Sequence, residues 1–396
     1  MHHFSTIVIG KGLLGSAAAK YLAAQAPDVA LIGPNEPTDP AQALVFSSHY
    51  DQARVQRLIG KDDVWTRLNQ ASVQQYAAIS AQSGIDFHGK AGCLYVNPYG
   101  QDDYLTNAPT ISERFHLGFK SYAQAPALAR DFPDFHFPEQ AQALFETAPA
   151  GFINPRHLIK AQVNIFEQHQ GTVLNETVLD ISYKDAAYQV QTAEGNTYQT
   201  PKILLAAGAF VNFFNLITKP LDLKLKSEVI LLAKVNPAQA AQLSQLPSLL
   251  YEIDNGETEG IYLIQPVQYP DGAFYLKMGC NMPEDIFFEN IEQVQDWFRH
   301  GDSDRFIPRL KAALEQLMPG LAFESFLTKR CIISRTPHGR PYIGETERAG
   351  LYVAGGCNGY SAMCSDGIGQ VAADLVSSGA FSIGFEPADF ELRYKF

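Results

Sequence analysis

The sequence predicts an α/β fold, α+β overall, in which two domains are interleaved along the chain. Three observations predict it. A glycine-rich turn lies inside a strand–helix–strand unit near the N-terminus, strands with antiparallel spacing fill the middle, and a second strand, glycine-rich turn and helix follow near the C-terminus. Strands joined through a crossover helix are parallel. We therefore expect a parallel, Rossmann-like sheet built from both ends of the chain and an antiparallel sheet between them.

The first unit carries a GxGxxG motif. A strand at residues 6–9 leads into Gly10, Gly12 and Gly15, and a helix at 16–26 and a strand at 29–32 follow. In such a unit the glycines allow a tight turn, close backbone approach to a pyrophosphate, and close packing of helix on strand. The helix N-terminus also favours a phosphate. The unit predicts a dinucleotide site, and a chance glycine-rich turn is the alternative.

One part of that motif is missing. The acidic residue that holds the adenosine ribose should end the second strand, where this chain has Gly33. Asn35 or Glu36 can substitute for it. Loss of the acid would also suit a 2′-phosphate, so this unit alone leaves NADP open.

The remaining elements follow from periodicity and turn signals. Residues 97–150 are expected to be rich in loops, and 172–192 to form an antiparallel meander. Helices are predicted at 55–83, 154–169, 291–299, 309–318 and 368–377, and strands at 93–96, 202–207, 225–235, 261–278 and 351–354.

Composition excludes several classes of protein. The chain has 396 residues, of which 46% are hydrophobic and 18% charged, so a disordered chain is excluded. Its net charge of −12 disfavours nucleic-acid and anionic-membrane binding, and no apolar run is long enough to span a bilayer. Five scattered cysteines without a CxxC pair argue against a disulfide framework or a metal site. We expect a cytoplasmic protein.

Several motifs extend the interpretation over nearly the whole chain: residues 154–156, 171–178, 206–210, 331–337, 341–344 and 354–359. In type and order they resemble the D-amino-acid oxidase superfamily of FAD-dependent oxidoreductases, within it the branch similar to monomeric sarcosine oxidase. The resemblance implies an FAD-binding domain of residues 1–90, 150–220 and 325–396, and a substrate-binding domain of 91–149 and 221–324.

The resemblance also implies an activity. It predicts an FAD-dependent oxidase of an amine or amino acid, such as a secondary amine, an imino acid or a modified amino acid. Hydride would pass from the substrate C–H to flavin N5, an imine would form, and O2 would be reduced to H2O2. The alternatives are a flavin dehydrogenase that passes electrons to a quinone or protein, a non-catalytic flavin-binding subunit, and an NADP-binding reductase.

The resemblance assigns residues to the flavin. Cys331 would carry it as a thioether, with the flanking Arg330 favouring the thiolate; a small buried cysteine that only packs is the alternative. The turn at 355–359 would face the pyrimidine end of the flavin, where a helix start favours negative charge, or would be a turn without that role. The other cofactor-binding residues implied are Ser48, His49, Val178, Gly208, Gly356, Asn358, Gly359, Tyr360 and Met363.

Four residues are implied in catalysis. Arg54 would lie near the flavin, and Arg57 would hold a substrate carboxylate by two parallel hydrogen bonds; two solvated helix arginines are the alternative. Lys277 would lie over the flavin and assist reoxidation by O2, or it is an exposed lysine of an edge strand. Tyr262 would form an aromatic wall beside the substrate.

Three positions depart from the sarcosine-oxidising pattern. Met363 stands where that pattern has a lysine, Asn281 where it has a histidine, and Ile333 where it has an aromatic residue. We expect a pocket that is less cationic and more apolar, which favours a bulkier amino acid, a cyclic imino acid or a modified amine over sarcosine.

Overall fold

The computed structural model describes residues 2–395. Its helices are α1 (Leu13–Gln25), α2 (Asp63–Ser83), α3 (Asp103–Phe115), α4 (Ala125–Asp131), α5 (Pro155–Gln168), α6 (Pro237–Gln242), α7 (Ile291–His300), α8 (Ile307–Leu317) and α9 (Ser365–Ser378). Short 3₁₀ helices lie at Pro40–Gln42, Gly208–Phe210, Leu243–Gln245, Asp304–Phe306 and Pro387–Asp389.

The strands of the first half of the chain are β1 (His2–His3), β2 (Thr6–Ile9), β3 (Val29–Ile32), β4 (Arg54–Gln56), β5 (His88–Gly89), β6 (Cys93–Asn97), β7 (Lys120–Tyr122), β8 (Gln142–Glu146), β9 (Gly151–Ile153), β10 (Thr172–Leu174), β11 (Val178–Lys184) and β12 (Ala187–Thr192). Those of the second half are β13 (Thr197–Thr200), β14 (Ile203–Leu205), β15 (Lys224–Val235), β16 (Ser248–Asp254), β17 (Glu259–Gln268), β18 (Phe274–Asn281), β19 (Phe287–Phe288), β20 (Ser325–Arg335), β21 (Tyr342–Glu345) and β22 (Leu351–Gly355).

A six-stranded sheet contains the N-terminal unit. Its order is β10-β3-β2-β14-β22-β21, and all neighbours are parallel except β21 and β22. Val8 and Leu31 pack on one side in a core shared with helices α1 and α9. Ile7 and Ala30 face the other side and pack against the four-stranded sheet β1-β13-β12-β11. The parallel strand–helix–strand prediction is confirmed.

The second large sheet is mixed and mostly antiparallel. Its order is β19-β15-β18-β17-β16-β6-β8-β7, and β20 also pairs with β15. Strands β16 and β6 are parallel, whereas the other pairs of this sheet are antiparallel. Apolar side chains of helices α7 and α8 cover it. The predicted fold class is therefore confirmed.

The two large sheets take their strands from different parts of the chain. Strands β2, β3, β10, β14, β21 and β22 form the parallel sheet, and the mixed sheet takes its strands from 93–146 and 224–335. Strand β20 pairs with β15 along its length, although the predicted division assigns 325–396 to the FAD-binding part. The domain boundaries stay a prediction.

Three local predictions are wrong. Residues 55–83 do not form one helix: β4 pairs with β9, and α2 begins only after Asp62, whose side chain accepts a hydrogen bond from Trp65 N. The stretch 97–150 contains helices α3 and α4 instead of mainly loops. Strand β10 belongs to the parallel sheet beside β3, not to the meander, because its backbone bonds to β3 in parallel register.

Close packing explains why two positions of the GxGxxG motif are glycine. Gly10 has a φ of +113°, and a Cβ there would overlap the carbonyl oxygen of Ala206. A Cβ on Gly15 would overlap the carbonyl oxygen of Gly10. These contacts bring helix α1 close to the ends of β2 and β14.

A buried ion pair fastens three helices behind the parallel sheet. Lys20 on α1 donates to Asp366 on α9 at 2.7 Å, and Tyr21 donates to the same carboxylate at 2.6 Å. Gln162 on α5 adds a third hydrogen bond at 2.8 Å. Asp366 is wholly buried, so its charge depends on these donors.

Within residues 2–395, no helix has the length and hydrophobicity that a membrane crossing requires. The same part of the chain contains no group of three or more His, Cys, Asp or Glu side chains placed to hold a metal ion. All five cysteines are free thiols.

We expect Asp366→Ala to lower the free energy of unfolding by about 3–5 kcal/mol, because it leaves the Lys20 ammonium buried without its partner. Denaturant unfolding measures the loss. The double variant Lys20→Met, Asp366→Leu should recover much of it, since it leaves no buried charge. Lys311→Met, which breaks an exposed pair with Glu315, is the control and should cost less than about 1 kcal/mol. A loss for Asp366→Ala as small as that of the control would contradict the analysis.

Candidate active site

One elongated cavity of about 730 Å³ runs between the two large sheets. Such a volume is typical of small-molecule sites, which span about 300–1,000 Å³. One end is lined by Gly10 and Gly12, and the other by strands β15 to β18 and β20. Of the residues predicted to bind cofactor or substrate, the lining includes Gly10, Gly12, Ser48, His49, Arg54, Val178, Gly208, Tyr262, Cys331, Asn358, Gly359, Tyr360 and Met363. Gly15, Arg57, Gly356 and Lys277 lie outside it.

The packing around Gly33 explains why no acidic residue follows β3. A Cβ on Gly33 would lie 2.7 Å from both the Cβ and the backbone nitrogen of Lys11, so no side chain fits there. The two candidate substitutes are already engaged. Asn35 Oδ1 accepts from Lys11 Nζ at 2.6 Å, and the Glu36 carboxylate accepts two hydrogen bonds from Arg156 at 2.5 and 2.9 Å.

His49 lies beside the glycine-rich turn. Its Nδ1 is 3.6 Å from the position that a Cβ on Gly12 would take. Burial, and then the positive charges of Arg156, Arg54 and Lys11, lower the pKa of His49 to about 3. The imidazole is therefore neutral at pH 7 and can accept or donate one hydrogen bond on the cavity wall.

Asp51, which the sequence interpretation missed, joins the segment beneath the cavity to the mixed sheet. Its carboxylate accepts from Lys277 Nζ at 2.5 Å and from the Tyr269 hydroxyl at 2.6 Å, and it pairs with Arg54. Asp51 is 2% exposed and Lys277 is wholly buried. The signal was present in the sequence, because a lysine in the apolar strand β18 requires a partner.

Lys277 is held on the far side of Tyr262. Its Nζ lies 5.3 Å from the centre of the Tyr262 ring and also donates to Ala53 O at 2.8 Å. Burial, and then the nearby Arg54, lower the pKa of Lys277. The alternative of an exposed edge-strand lysine is wrong, because β18 lies between β15 and β17.

The two arginines do not share a helix face. Arg54 lies in strand β4 and Arg57 directly after it, so the spacing of three sends their side chains to opposite sides. Arg57 is buried with its guanidinium 4.6 Å from the centre of the Tyr104 ring. Among the described residues, its Nε and Nη1 have no hydrogen-bond partner.

Cys331 lies in the middle of β20, directly opposite Glu228 on β15. Both side chains line the cavity. Arg330 does not accompany the thiol: its guanidinium donates to the carbonyl oxygens of Gly301 and Phe298, on the other side of the strand, because neighbouring strand residues alternate between faces.

Asn358 ties the glycine-rich turn after β22 to the end of β20. Its Oδ1 accepts from Thr336 N at 2.9 Å, and its Nδ2 donates to Gly356 O at 2.6 Å. Its own N–H donates to Ser334 O at 2.8 Å. The C-terminal motifs are therefore two halves of one structural unit that closes the cavity.

Three carboxylates that the sequence interpretation also missed line the mixed-sheet end: Glu228, Glu252 and Glu259. Burial raises the pKa of Glu228 to about 7, although Lys226 opposes the shift. None of the three gives a clear signal in the sequence. Glu228 stands in a strand that also carries three lysines, and the other two flank a turn, where acidic residues are common.

The residues present fit a dinucleotide at the glycine end. The close packing of Gly10 and Gly15 leaves the Gly12 backbone and the start of α1 open to the cavity, where a pyrophosphate would meet free N–H groups. The cavity then continues past His49 to Cys331, so that an extended cofactor would reach from the phosphate site to the mixed sheet.

Comparison with known proteins agrees with this geometry. The family model described as FAD dependent oxidoreductase matches residues 5–375. Monomeric sarcosine oxidase of Bacillus sp. (strain B-0618) is 23% identical over 385 residues, which cover 95% of this chain and 93% of the relative.

Two solved structures show the same fold. NikD, described as an unusual amino acid oxidase essential for nikkomycin biosynthesis, superposes with a TM-score of 0.78 at 16% identity, covering 100% of this chain and 99% of NikD. L-Proline dehydrogenase from P. horikoshii gives a TM-score of 0.74 at 17% identity, covering 97% and 96% of the two chains. The chain belongs to the FAD dependent oxidoreductase family.

Proposed function

We propose that this enzyme oxidises an amine or amino acid with FAD, forming an imine and passing the electrons to O2 to give H2O2. The observation that carries the proposal is the single cavity that joins the glycine-rich turn to Tyr262 and Cys331. It is supported by the family and by the relatedness to monomeric sarcosine oxidase over nearly the whole chain. FAD, when bound, supplies the acceptor for the hydrogen and the two electrons that leave the substrate carbon.

The chain's own residues would hold the cofactor at three points. Gly10 and Gly12 with the start of α1 would bind the pyrophosphate, and neutral His49 would add a hydrogen bond without charge. Cys331 would bind the flavin covalently through its Sγ; the new C–S bond would replace the thiol S–H and a C–H of a flavin methyl group, with the two electrons passing to the flavin and from it to O2. The turn fixed by Asn358 would offer backbone N–H groups to the far end of the flavin.

Substrate would lie between the flavin and the mixed sheet. Tyr262 would form an apolar wall there, stiffened by the ammonium of Lys277 beyond its ring. Arg57 was predicted to hold a substrate carboxylate. Because Arg57 packs against Tyr104 and lies outside the cavity lining, this proposal rests on the amine of the substrate and not on a carboxylate.

A dehydrogenase that passes electrons to a quinone or protein is the second candidate. It is favoured by one observation: the Lys277 ammonium, proposed to assist O2, is paired with Asp51 and lies outside the cavity lining.

The first prediction tests whether the flavin is attached covalently to Cys331. We expect Cys331→Ser to bind flavin but to release it on denaturation, whereas the unmodified protein retains it. In-gel flavin fluorescence and intact mass measure attachment. Cys357→Ser is the matched control because Cys357 also lines the cavity, and it should keep the attached flavin. Flavin that stays bound to denatured Cys331→Ser, or is lost from Cys357→Ser, would contradict the assignment.

The lysine prediction separates the two candidate functions. We expect Lys277→Met to slow reoxidation by O2 by about 10²-fold, the usual effect of losing one electrostatic contact to developing charge, and to slow reduction by substrate much less. Stopped-flow absorbance measures both half-reactions. Lys329→Met is the control, since Lys329 also lies above a tyrosine, Tyr269, and outside the cavity lining, but is only partly buried. An unchanged rate of reoxidation would favour the dehydrogenase. Equal slowing of both half-reactions would show that the ion pair of Lys277 with Asp51 has only a structural role.

A further inference from the structure

At the nucleotide end of the cavity, Lys11 occupies the space that an acidic side chain after β3 would need. Lys11 is the second residue of the GxGxxG motif, and its Cβ and backbone nitrogen both lie 2.7 Å from the position that a Cβ on Gly33 would take. Lys11 and Gly33 both line the cavity. Where a dinucleotide-binding unit normally has an acidic side chain beside the ribose, this chain therefore has a lysine packed across a glycine.

The ammonium of Lys11 is held at the carboxyl ends of three neighbouring parallel strands. Lys11 follows β2, and its Nζ donates to Asn35 Oδ1, after β3, at 2.6 Å and to Asn175 Oδ1, after β10. Strand β3 lies between β2 and β10 in the sheet. Ligands of open α/β sheets bind outside this edge, so the ammonium lies where an adenosine ribose is expected.

The ammonium of Lys11 has no counter-ion in direct contact. Among residues 2–395, no carboxylate oxygen lies within 4.0 Å of its Nζ, and the two asparagines use two of its three N–H donors. Lys11 is half-buried; burial lowers its pKa, and the more distant negative charge of Glu167 opposes the shift. A half-buried cation with one donor unused favours an oxygen atom of a ligand.

The acidic residues near this end of the cavity are already held by protein donors. Glu36 is paired with Arg156. Glu176 lines the cavity, and its carboxylate accepts hydrogen bonds of 2.8, 2.9 and 2.7 Å from Thr192, Asn196 and Tyr198. Neither carboxylate therefore takes the place of the missing acid without sharing its existing donors, whereas Lys11 has a donor to spare.

We propose that Lys11 binds the adenosine ribose of FAD in place of the missing acid and donates its third N–H to a ribose hydroxyl oxygen. This inference rests on the proposed function, because it takes FAD as the cofactor. It also has a consequence for specificity. A cation at this position accommodates a phosphate on the 2′-hydroxyl, which a carboxylate would repel.

Flavin binding tests the inference without depending on covalent attachment. The full-length Cys331→Ser protein, freed of flavin, is titrated with FAD and with FMN, which lacks the adenosine, and flavin fluorescence reports binding. We expect the further change Lys11→Met to weaken FAD binding by about tenfold, the effect of losing one hydrogen bond from a charged donor, and to leave FMN binding unchanged. Lys202→Met is the matched control and should alter neither, because Lys202 is also half-buried and donates to a neutral oxygen, Val376 O, at 2.6 Å, but lies outside the cavity lining.

Nucleotides without a flavin test the charge at the same position. AMP and adenosine 2′,5′-bisphosphate differ only in the 2′-phosphate, and their competition with FAD gives their affinities. We expect the bisphosphate to bind at least as tightly as AMP when Lys11 is present. Lys11→Met should weaken the bisphosphate more than AMP, because it removes the cation that faces the second phosphate.

The outcomes separate the inference from the proposed function. A loss of affinity confined to FAD supports the inference, whether or not any amine reduces the bound flavin. Equal weakening of FAD and FMN would show that Lys11 only shapes the turn, and this result, unchanged FAD binding, or bisphosphate binding much weaker than that of AMP would overturn the inference. Lys11→Gln replaces Lys11→Met if the latter does not fold. Binding of neither flavin would count against the proposed function, and the nucleotide comparison would still decide whether Lys11 binds a ribose.

Discussion

The buried ion pair between Asp51 and Lys277 is the interaction on which the geometry of the site depends. The segment with His49 and Arg54 leads into β4 of the three-stranded sheet β4-β9-β5, whereas Lys277 belongs to the mixed sheet. A charge pair this deeply buried is stable only when both partners are present and further donors complete it, and Tyr269 and Arg54 do so here. The pair therefore fixes the two walls of the cavity relative to each other.

That constraint changes how the cations of the site are understood. Residues predicted to offer positive charge to substrate or oxygen are largely used in holding the protein together: Lys277 and Arg54 neutralise Asp51, and Arg57 packs on Tyr104. Glu228, Glu252 and Glu259 line the mixed-sheet end of the cavity together with the exposed Arg335, and all four belong to strands of that sheet.

The sequence was sufficient to predict the parallel unit, because the glycine motif, the apolar strands and the helix between them are all local signals. Most of the residues that it assigned to the cofactor line the cavity, among them Cys331 and Asn358, which belong to continuous motifs. It could not predict the partner of Lys277, since Asp51 is 226 residues away along the chain. The helix predicted at 55–83 is wrong at its start, where the short strand β4 lies. The apolar spacing of β4 is the same as that of a helix turn, and its partner β9 lies about 95 residues further along the chain.

The central claim is that one cavity holds FAD from the glycine-rich turn to Cys331. The most direct measurement is the absorption spectrum of the purified protein, recorded again on pellet and supernatant after acid precipitation. The account predicts flavin bands in the native protein and yellow colour that stays in the pellet. Yellow colour released into the supernatant would contradict the covalent link. A colourless protein that does not take up added FAD would contradict the claim itself.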